Sequence, residues 1–486
     1  MKCRLLLIVF VVASWSGAMA QTQQPQSTDD AGSAVPSRSA PAPALSGGYL
    51  MPEGQEQDDE SNGGEGWSTQ RNVVPAVVGG YGPSLAIGEE MERSNYVRGG
   101  LTLQGTYDDN PYASSGSSNS SASNYAISIF PQIALDQSRS RVRWLLNYAG
   151  GFTFNQKLTQ QNQTSQNFGF DLQYRVSPHV TARVTEAILL TTGLFGPVNS
   201  FNGSAPGVPQ GSNAFVLTPL SKQFATVTRG EIGYQFSATD VVGASGGFHS
   251  LQFHDVAPGN SLLDTRAESG AGYFMHRVTP KNWLGASYSF EHLGYPGSID
   301  DTIVHSVIAF DTYKPRPSMA LSFFGGPQYS ENKFPTTSVP PQTATQNSWS
   351  EAGGASFGWT ALRTSADVAY TYRIADGGGV QSTVQVSSIR GSLRRQLSNR
   401  TSAGFLASYA TNDALSPAAA GTTSANTTYV SGGFSVTHRL GENCFLQAGY
   451  TRQNQQSSGL ASLGSSVHRD SVIASFSYQF ARPWGQ

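Results

Sequence analysis

The connections between strand-like segments alternate strictly in length along this chain. From about Val97 onward, segments in which every second residue is apolar follow one another to the end. The first connection is the long DDNPYASSGSSNSSASN, the next is only DQSRS, and the last, residues 453–467, is long again. Because antiparallel neighbours place every second connection at the same end, the long connections share one end and the short turns the other. The series predicts about eighteen strands, an even number, with both termini at the short-turn end.

The strands show the period of two that places successive side chains on opposite faces of a sheet. Residues 168–176, FGFDLQYRV, alternate without a fault, and residues 470–480, DSVIASFSYQF, end the series in the same way. The apolar phase shifts between Val384 and Val386 on one side and Ile389 and Leu393 on the other, and we expect a β-bulge near Ser387 to cause this. No segment competes as an amphipathic helix, so the region is predicted to be all-β.

The N-terminus carries the features of a secretory signal peptide. Lys2 and Arg4 precede an apolar run at residues 5–13, and Ala18-Met19-Ala20 supplies the small residues that signal peptidase requires. The run is too short to span a bilayer. We expect cleavage before Gln21, so residues 1–20 are a signal peptide and the mature protein is exported. Only Cys444 then remains, which excludes an intramolecular disulfide.

Residues 21–93 differ from the rest of the chain in composition. They are rich in Gln, Ser, Pro, Gly and acidic residues, as in QTQQPQSTDDAGSAVPSRSAPAPA and EGQEQDDESNGGEG. Such a segment cannot bury enough apolar surface to offset its ordering entropy, so we predict a disordered periplasmic leader. The piece VVPAVVGGYGPSLAIG at residues 73–88 is less polar. It is interpreted as an ordered linker, with a small plug as the alternative.

The overall composition is unusual for a soluble enzyme. Charged residues make up 13% of the chain, about half of the roughly 25% that is typical of globular proteins. Gly, Tyr and Phe are abundant, with 53, 20 and 25 residues. This composition suits strands that alternate lipid-facing with water-facing positions. The net charge of −2 gives no indication of a nucleic-acid partner.

Two architectures contain strands with one apolar face, a soluble sandwich and a membrane barrel. A sandwich has no reason to sort its connections by length, whereas outer-membrane barrels have short periplasmic turns and longer extracellular loops. In lipid every backbone group must be paired, so the sheet has to close. We therefore predict a transmembrane antiparallel up-and-down β-barrel over residues 94–480, followed by a short tail at 481–486. The last strand would pair with the first near residues 101–107.

The C-terminal strand also supports a resemblance to a known family. The ending Tyr478-Gln479-Phe480, with apolar residues at alternate positions before it, resembles the signal that the bacterial barrel assembly machinery reads in outer-membrane β-barrels. In that family the aromatic residue usually ends the chain, whereas six residues follow it here. The stretch GLTLQGTYDDN and the turns YRVSPHV and HRLGENC are similar to porin-like barrels encoded beside bacterial exopolysaccharide systems. The resemblance implies an outer-membrane location, with Tyr478 and Phe480 in the periplasmic aromatic girdle.

The sequence gives little support to the hypothesis that this protein is an enzyme. Two stretches match G-x-S-x-G, around Ser245 and Ser356, but both lie inside period-2 strands and not on the strand-to-helix turn that a hydrolase requires. His254 and His292 could form a catalytic pair at a loop edge, although solvated or interfacial histidines are common there. No group of His, Cys or acidic residues has metal-ligand spacing. We expect no enzyme activity, cofactor or metal.

Charged residues inside the strands are the candidate functional residues. A lipid-facing Arg or Lys at the bilayer midplane costs about 2–4 kcal/mol, so these charges are expected to face inward and line a channel. Such residues set the ion preference of a pore, or they pair across strands and fill the lumen. Arg outnumbers acid, which favours anions or sugar acids. The candidates are Arg141, Arg143, Asp171, Arg183, Arg229, Glu231, Arg266, Glu268, Asp367, Arg373, Arg390 and Arg394.

The function predicted from sequence is an outer-membrane, porin-like channel for passive or weakly selective diffusion of small polar solutes. A barrel of about eighteen strands is wide enough for an aqueous lumen. The long loop at residues 191–222 either folds inward as a constriction or caps the outside. Expected partners are outer-membrane lipid, the barrel assembly machinery and small polar solutes, with a homo-oligomer left open. The alternatives are a non-channel role in envelope structure or polysaccharide secretion, and then an outer-membrane hydrolase.

Overall fold

The structure is a computed structural model that describes residues 95–111, 123–157, 162–192, 215–218, 221–254, 262–316, 318–335, 343–415, 425–458 and 466–483. The predicted signal peptide and leader lie outside the described residues. Eighteen strands are present in that part of the chain. They are β1 (Asn95–Asp108), β2 (Asn124–Ser138), β3 (Val142–Asn155), β4 (Gln163–Arg175), β5 (Val180–Thr192), β6 (Lys222–Gln235), β7 (Asp240–His254), β8 (Thr265–Thr279), β9 (Asn282–Gly294), β10 (Asp301–Arg316), β11 (Met319–Pro335), β12 (Thr343–Ala361), β13 (Thr364–Gly377), β14 (Gln381–Ser398), β15 (Thr401–Ala414), β16 (Asn426–Arg439), β17 (Cys444–Ser458) and β18 (Ser466–Pro483).

The strands form one closed antiparallel sheet. Each strand pairs with its neighbours in sequence, and β1 pairs with both β2 and β18. The closing register places Leu101 opposite Tyr478 and Tyr107 opposite Val472. Closure leaves no sheet edge that would need covering. The predicted antiparallel barrel, its strand number and the pairing of the last strand with the first are therefore confirmed.

The last strand is longer than the sequence pattern indicated. β18 continues to Pro483, and Ala481 and Arg482 pair with Arg98 and Val97 of β1. The start of the segment predicted as a C-terminal tail is therefore strand. The physical reason is that β1 begins at Asn95 and offers backbone partners to these residues.

The outer face of the barrel is apolar. On β18 the residues Val472, Phe476 and Tyr478 point outward and are 39–46% exposed, while Ser475 and Ser477 between them are buried on the lumen side. The same alternation holds on β1, where Leu101 and Leu103 face outward and Thr102 and Gln104 face the lumen. Large apolar side chains so exposed around a whole circumference are typical of a surface that contacts lipid.

Aromatic rings on the outer face lie near both ends of the barrel. At the short-turn end, Tyr478 and Phe480 have ring centroids 6.5 Å apart. Toward the long-loop end, Tyr329 and Trp349 of β11 and β12 have ring centroids 5.2 Å apart, and His305 of β10 continues this row beside Tyr329. Rings at two heights match the two aromatic girdles of membrane barrels. Within the described ranges, no helix is long and apolar enough to cross a membrane.

The predicted bulge near Ser387 is wrong. Tyr372 and Ser387 form a regular pair, and the register of β13 and β14 shifts only between Asp376 and Gly377, at the hairpin tip. The apolar phase changes for another reason. Ile389 and Leu393 face outward, whereas Val384 and Val386 face the lumen from β14, which stays paired with β15 there, and are buried against Ala375 inside the barrel.

Candidate functional site in the barrel lumen

One side of the lumen carries a network of paired charges. Arg183 of β5 donates from Nε to Asp171 Oδ1 of β4 at 3.0 Å. Arg229 and Glu231 of β6 approach within 3.8 Å, and Glu231 is directly opposite Arg183 in the register. Tyr273 of β8 donates its hydroxyl hydrogen to Glu231 Oε1 at 3.0 Å. These four charges compensate one another, so they contribute little net field to the lumen.

A glycine makes room for the hydrogen bond between Tyr273 and Glu231. Gly243 of β7 lies between β6 and β8, and a Cβ there would overlap the Tyr273 ring. The ring therefore lies flat across Gly243 and brings its hydroxyl to Glu231 two strands away. The same arrangement of ring over glycine recurs on the inner wall, with Phe130 over Gly151, Phe310 over Gly285 and Phe324 over Gly354.

We expect the substitution Gly243→Ala to displace the Tyr273 ring and destabilise the barrel by about 1–3 kcal/mol, because overpacking moves the ring and breaks its hydrogen bond. The measurement is equilibrium urea unfolding of the folded barrel in lipid. The matched control is Gly246→Ala on the same strand, where the added Cβ would have its nearest neighbour, Ser269 O, at 3.6 Å. Equal stability of the two variants would contradict the role of Gly243.

The opposite side of the lumen carries an excess of positive charge. Asp367 and Arg373 of β13 and Arg390 and Arg394 of β14 all lie on the inward face, according to the register of the two strands. The three arginines are half-buried, and Asp367 is exposed and accepts a hydrogen bond from Ser392 Oγ. Ser365 on the same inward face is also exposed. This side of the lumen is therefore open to water and lined by three cations and one anion.

Two arginine candidates lie at the short-turn end. Arg143 is the second residue of β3, opposite Gln173, and its side chain is exposed on the inward face. Arg141 precedes β3, in the turn after β2, where its carbonyl accepts a hydrogen bond from the Arg175 N–H. Both lie at the rim of the barrel and not in its middle.

The inward placement predicted for Arg266 and Glu268 is wrong. Both side chains are on the outer face of β8, where they form a 2.6 Å ion pair and are 58% and 47% exposed. The Arg266 guanidinium lies over the outward-facing Phe248 ring. The physical reason is that β8 turns its apolar residues Tyr273 and Met275 toward the lumen, which reverses the usual assignment of faces.

Two buried ion pairs that face the lumen were not predicted from the sequence. Arg98 of β1 lies 3.9 Å from Asp136 of β2, near the short-turn end. Arg469 of β18 donates two hydrogen bonds to Asp108 Oδ2 of β1, near the long-loop end. The alternation of Arg98, Thr102 and Gln104 with apolar residues in β1 was the available signal. The first pair links β1 to β2, and the second links β1 to β18, where the barrel closes.

A hairpin formed by β13 and β14 enters the lumen at the long-loop end. The pairing of β12 with β13 stops at Gly353 and Tyr372, although β12 continues to pair with β11 as far as Thr343. Beyond Tyr372 the hairpin is buried on both faces, with Ile374 only 2% exposed and Val384 completely buried. The β13 side of the hairpin therefore leaves the wall, whereas Val384–Val386 of β14 stay paired with Asn412–Ala414 of β15. The segment from Ile374 to Val386 is here called the inserted hairpin.

Polar contacts hold the inserted hairpin against inward-facing residues on both sides. The Ile374 N–H donates to Gln328 Oε1 of β11 at 3.3 Å, and Gln381 Nε2 donates to Thr427 Oγ1 of β16 at 3.2 Å. Thr383 is 2.7 Å from the Thr302 hydroxyl of β10. Contacts with strands on both sides of β13 and β14 place the hairpin across the lumen.

The tip of the inserted hairpin requires glycine. Gly378 and Gly379 have φ values of 65° and 85°, a left-handed conformation that other residues adopt at a cost. A Cβ on Gly379 would also overlap the ring of Phe253 on β7. The tip is therefore seated closely against the far wall.

Tyr295, just after β9, adds another contact to the hairpin. Its hydroxyl lies 3.0 Å from the Thr383 hydroxyl. Burial, and then the nearby Asp376 carboxylate, raise the pKa of Tyr295 well above its ordinary value. The hydroxyl therefore keeps its proton at neutral pH.

A second inserted segment comes from the long loop between β5 and β6. Its described part, residues 215–218, lies inside the barrel: the Leu217 N–H donates to Gln455 Oε1 of β17 at 2.6 Å. Leu217 packs on Tyr429 and Val467, and Phe215 also packs on Val384 of the inserted hairpin. The sequence analysis left open whether this loop folds inward or caps the outside of the barrel. For residues 215–218 the structure supports the inward fold. Together the two segments narrow the long-loop end of the lumen.

No protein-family model and no curated protein matches this chain. Three of the solved structures that match are Pseudomonas aeruginosa OccK3 (OpdO), Acinetobacter baumannii OccAB4 and the ferric citrate transporter FecA. OccK3 is 11% identical, with a TM-score of 0.40, over 79% of this chain and 96% of that one. OccAB4 is 11% identical, with a TM-score of 0.43, over 80% and 99%. FecA is 8% identical, with a TM-score of 0.44, over 79% and 64%. At these values the matches assign no role to any residue of this chain.

The residues considered for catalysis are not brought together. His254 ends β7 with an exposed side chain, and His292 faces outward on β9, where its Nε2 lies 2.5 Å from Asp301 Oδ1. Ser245 and Ser356 are interior residues of β7 and β12. Across the described segments, no three His, Cys, Asp or Glu side chains are grouped to hold a metal ion. The arrangement that remains is a charged lumen with a narrowed end.

Proposed function

We propose that this protein is an outer-membrane channel for small polar solutes, which it passes by diffusion with weak selectivity. One observation carries the proposal: a closed barrel with an apolar outer face encloses a charged lumen that inserted segments narrow at one end. Barrels of 16–18 strands leave an aqueous channel. In this proposal the short turns face the periplasm and the long loops face outward.

The exposed side of the lumen favours negatively charged solutes. Arg373, Arg390 and Arg394 are set against Asp367 on the wall of β13 and β14, whereas the charges of β4–β6 are paired with one another. A pore lined by an excess of cationic side chains favours anions. Small anions and sugar acids are therefore the solutes that this wall fits best.

The test is single-channel recording of the full mature protein, refolded and inserted into a planar bilayer. We expect steady, ohmic conductance steps with a modest preference for anions. A correctly folded barrel that stays electrically silent would overturn the channel proposal and favour a non-channel role in the envelope. Folding is checked separately by the migration of heated and unheated samples in gels, so silence cannot be mistaken for misfolding.

A further inference from the structure

Water reaches the inner wall at different places in the two halves of the barrel. In the short-turn half, Ser365 and Asp367 of β13 are exposed inward residues. In the long-loop half, the inserted hairpin and residues 215–218 contact inward side chains of β10, β11, β16 and β17. Even large inward side chains are buried on these strands, where Gln455 is completely buried and Tyr429 is 1% exposed.

The inner face of β4–β6 differs at the same end of the barrel. Gln223 of β6 is half-buried, whereas Gln455 of β17 is completely buried. Both glutamines face inward within four residues of the long-loop end of their strands. Asn167 of β4 and Leu189 of β5, which are cross-strand partners, are also half-buried and face inward. This sector therefore keeps contact with water where the inserted segments cover the other walls.

Gln346 of β12 is also exposed, but for a different reason. It belongs to a row of inward residues that includes Thr302 and Asn332, both 3% exposed. Among the described residues, β13 no longer pairs with β12 beyond Gly353 and Tyr372. Gln346 therefore lies on a strand with a free edge, where water reaches it from outside the barrel.

We infer that solutes pass the long-loop half along the inner face of β4–β6, after they leave the arginine-rich wall of β13 and β14. This rests on the proposed function and adds a second set of residues that select solutes. In the closed sheet of eighteen strands, β5 and β14 are nine strands apart in both directions, so they lie on opposite sides. The route therefore crosses the lumen on the short-turn side of the inserted hairpin.

The chemistry of this second wall differs from that of the first. Beyond Arg229, the inward residues of β6 are Val227, Ala225 and Gln223, and Ala187 of β5 lies opposite Val227. Among the described residues of β4–β6, no inward side chain between Arg229 and the long-loop end is charged. Amide and aliphatic side chains select by pore width and hydrogen bonding. The wall of β13 and β14 thus selects solutes by charge, and the wall of β4–β6 selects them by size.

The test attaches a bulky group to this wall in the full mature protein. In a Cys444→Ser background, Ala225→Cys is modified with a bulky, uncharged thiosulfonate before single-channel recording. We expect the conductance to fall by about half or more, with the reversal potential unchanged because the added group is neutral. Gln346→Cys with the same reagent is the matched control and should conduct as before. Mass spectrometry confirms that both cysteines have reacted.

A charge at the same position gives an independent readout. Ala225→Glu should shift the reversal potential in a salt gradient toward cations, because the carboxylate lies on the route of the solutes. Gln346→Glu adds the same charge to β12 and should leave the reversal potential unchanged. Ala187→Cys on β5 repeats the modification experiment in case the variants at position 225 fold poorly.

The outcomes separate this inference from the channel proposal. Loss of conductance at position 225 and not at position 346 supports the route along β4–β6. Loss at position 346 and not at 225 would place the route along β12. Equal losses at both positions, or none at either, would show no preference for β4–β6; each of these results overturns the inference while the channel proposal stands. A folded, unmodified barrel that stays silent rejects the channel and, with it, the route.

Discussion

Shortening the inserted hairpin should raise single-channel conductance several-fold. The variant lacks residues 374–385 and joins Arg373 to Val386 through Asn-Gly, the sequence preferred in two-residue hairpin turns. Arg373 and Val386 are already cross-strand partners, so the wall below them is retained. The change removes the contacts with Gln328, Thr302 and Thr427 that hold the hairpin across the lumen. Planar-bilayer recording of the two proteins at equal salt measures the effect.

A control keeps the bulk of the hairpin and removes only polar contacts. Thr383→Val loses the hydroxyl that meets Thr302 and Tyr295 but leaves the hairpin in the lumen. We expect the mean conductance of this variant to stay close to that of the unaltered protein. If the shortened barrel folds and conducts no better than Thr383→Val, the hairpin is not the constriction, and the second inserted segment at residues 215–218 becomes the candidate.

The architecture was predictable because it follows from two local patterns. The period of two assigns faces within each strand, and the alternation of long and short connections assigns the ends of the barrel. Neither pattern depends on contacts between distant residues. The pairing of the last strand with the first could also be predicted, since closure leaves the last strand no other partner.

The inserted hairpin was not predicted, although the sequence contained its signal. The change of phase between Val386 and Ile389 was attributed to a bulge, which is the local explanation. The actual cause is nonlocal: Val384 packs with Ala375, Val386 and Phe215 inside the barrel, while Ile389 faces outward. A hairpin that contacts the inner wall on both sides has apolar and polar residues on both of its faces. In the apolar periodicity of the sequence, such a hairpin looks the same as a strand with a bulge.

The faces of β8 were misassigned because the inner wall is partly apolar there. The rule that apolar residues face lipid holds when the lumen is polar along the whole strand. On β8, Ala267, Ala271 and Tyr273 face inward instead, and the ion pair of Arg266 and Glu268 lies outside. Both of these residues lie near the start of β8, at the long-loop end, where charges on the outer face are close to the membrane surface and cost less than at the midplane.

The remaining charge candidates divide into two groups that the sequence could not distinguish. Asp171, Arg183, Arg229 and Glu231 compensate one another along β4–β6. The charges of β13 and β14 have an excess of arginine on an exposed wall. Pairing depends on the register between strands, which turn lengths constrain but do not determine for each side chain. In the proposed channel, we therefore expect the second group to set the ion selectivity.

Replacing Arg373, Arg390 and Arg394 together with Gln should abolish the preference for anions. Removing three cations from the exposed wall leaves Asp367 as its main charge, so we expect the reversal potential in a salt gradient to shift toward cation preference. The effect should be larger at 0.1 M than at 1 M salt, because the screening length falls from about 10 Å to about 3 Å. The matched control is the triple substitution of Arg266, Arg395 and Arg452 with Gln, which removes the same charge from side chains that face outward. If both triple variants shift the reversal potential equally, net charge and not the lumen wall sets the selectivity.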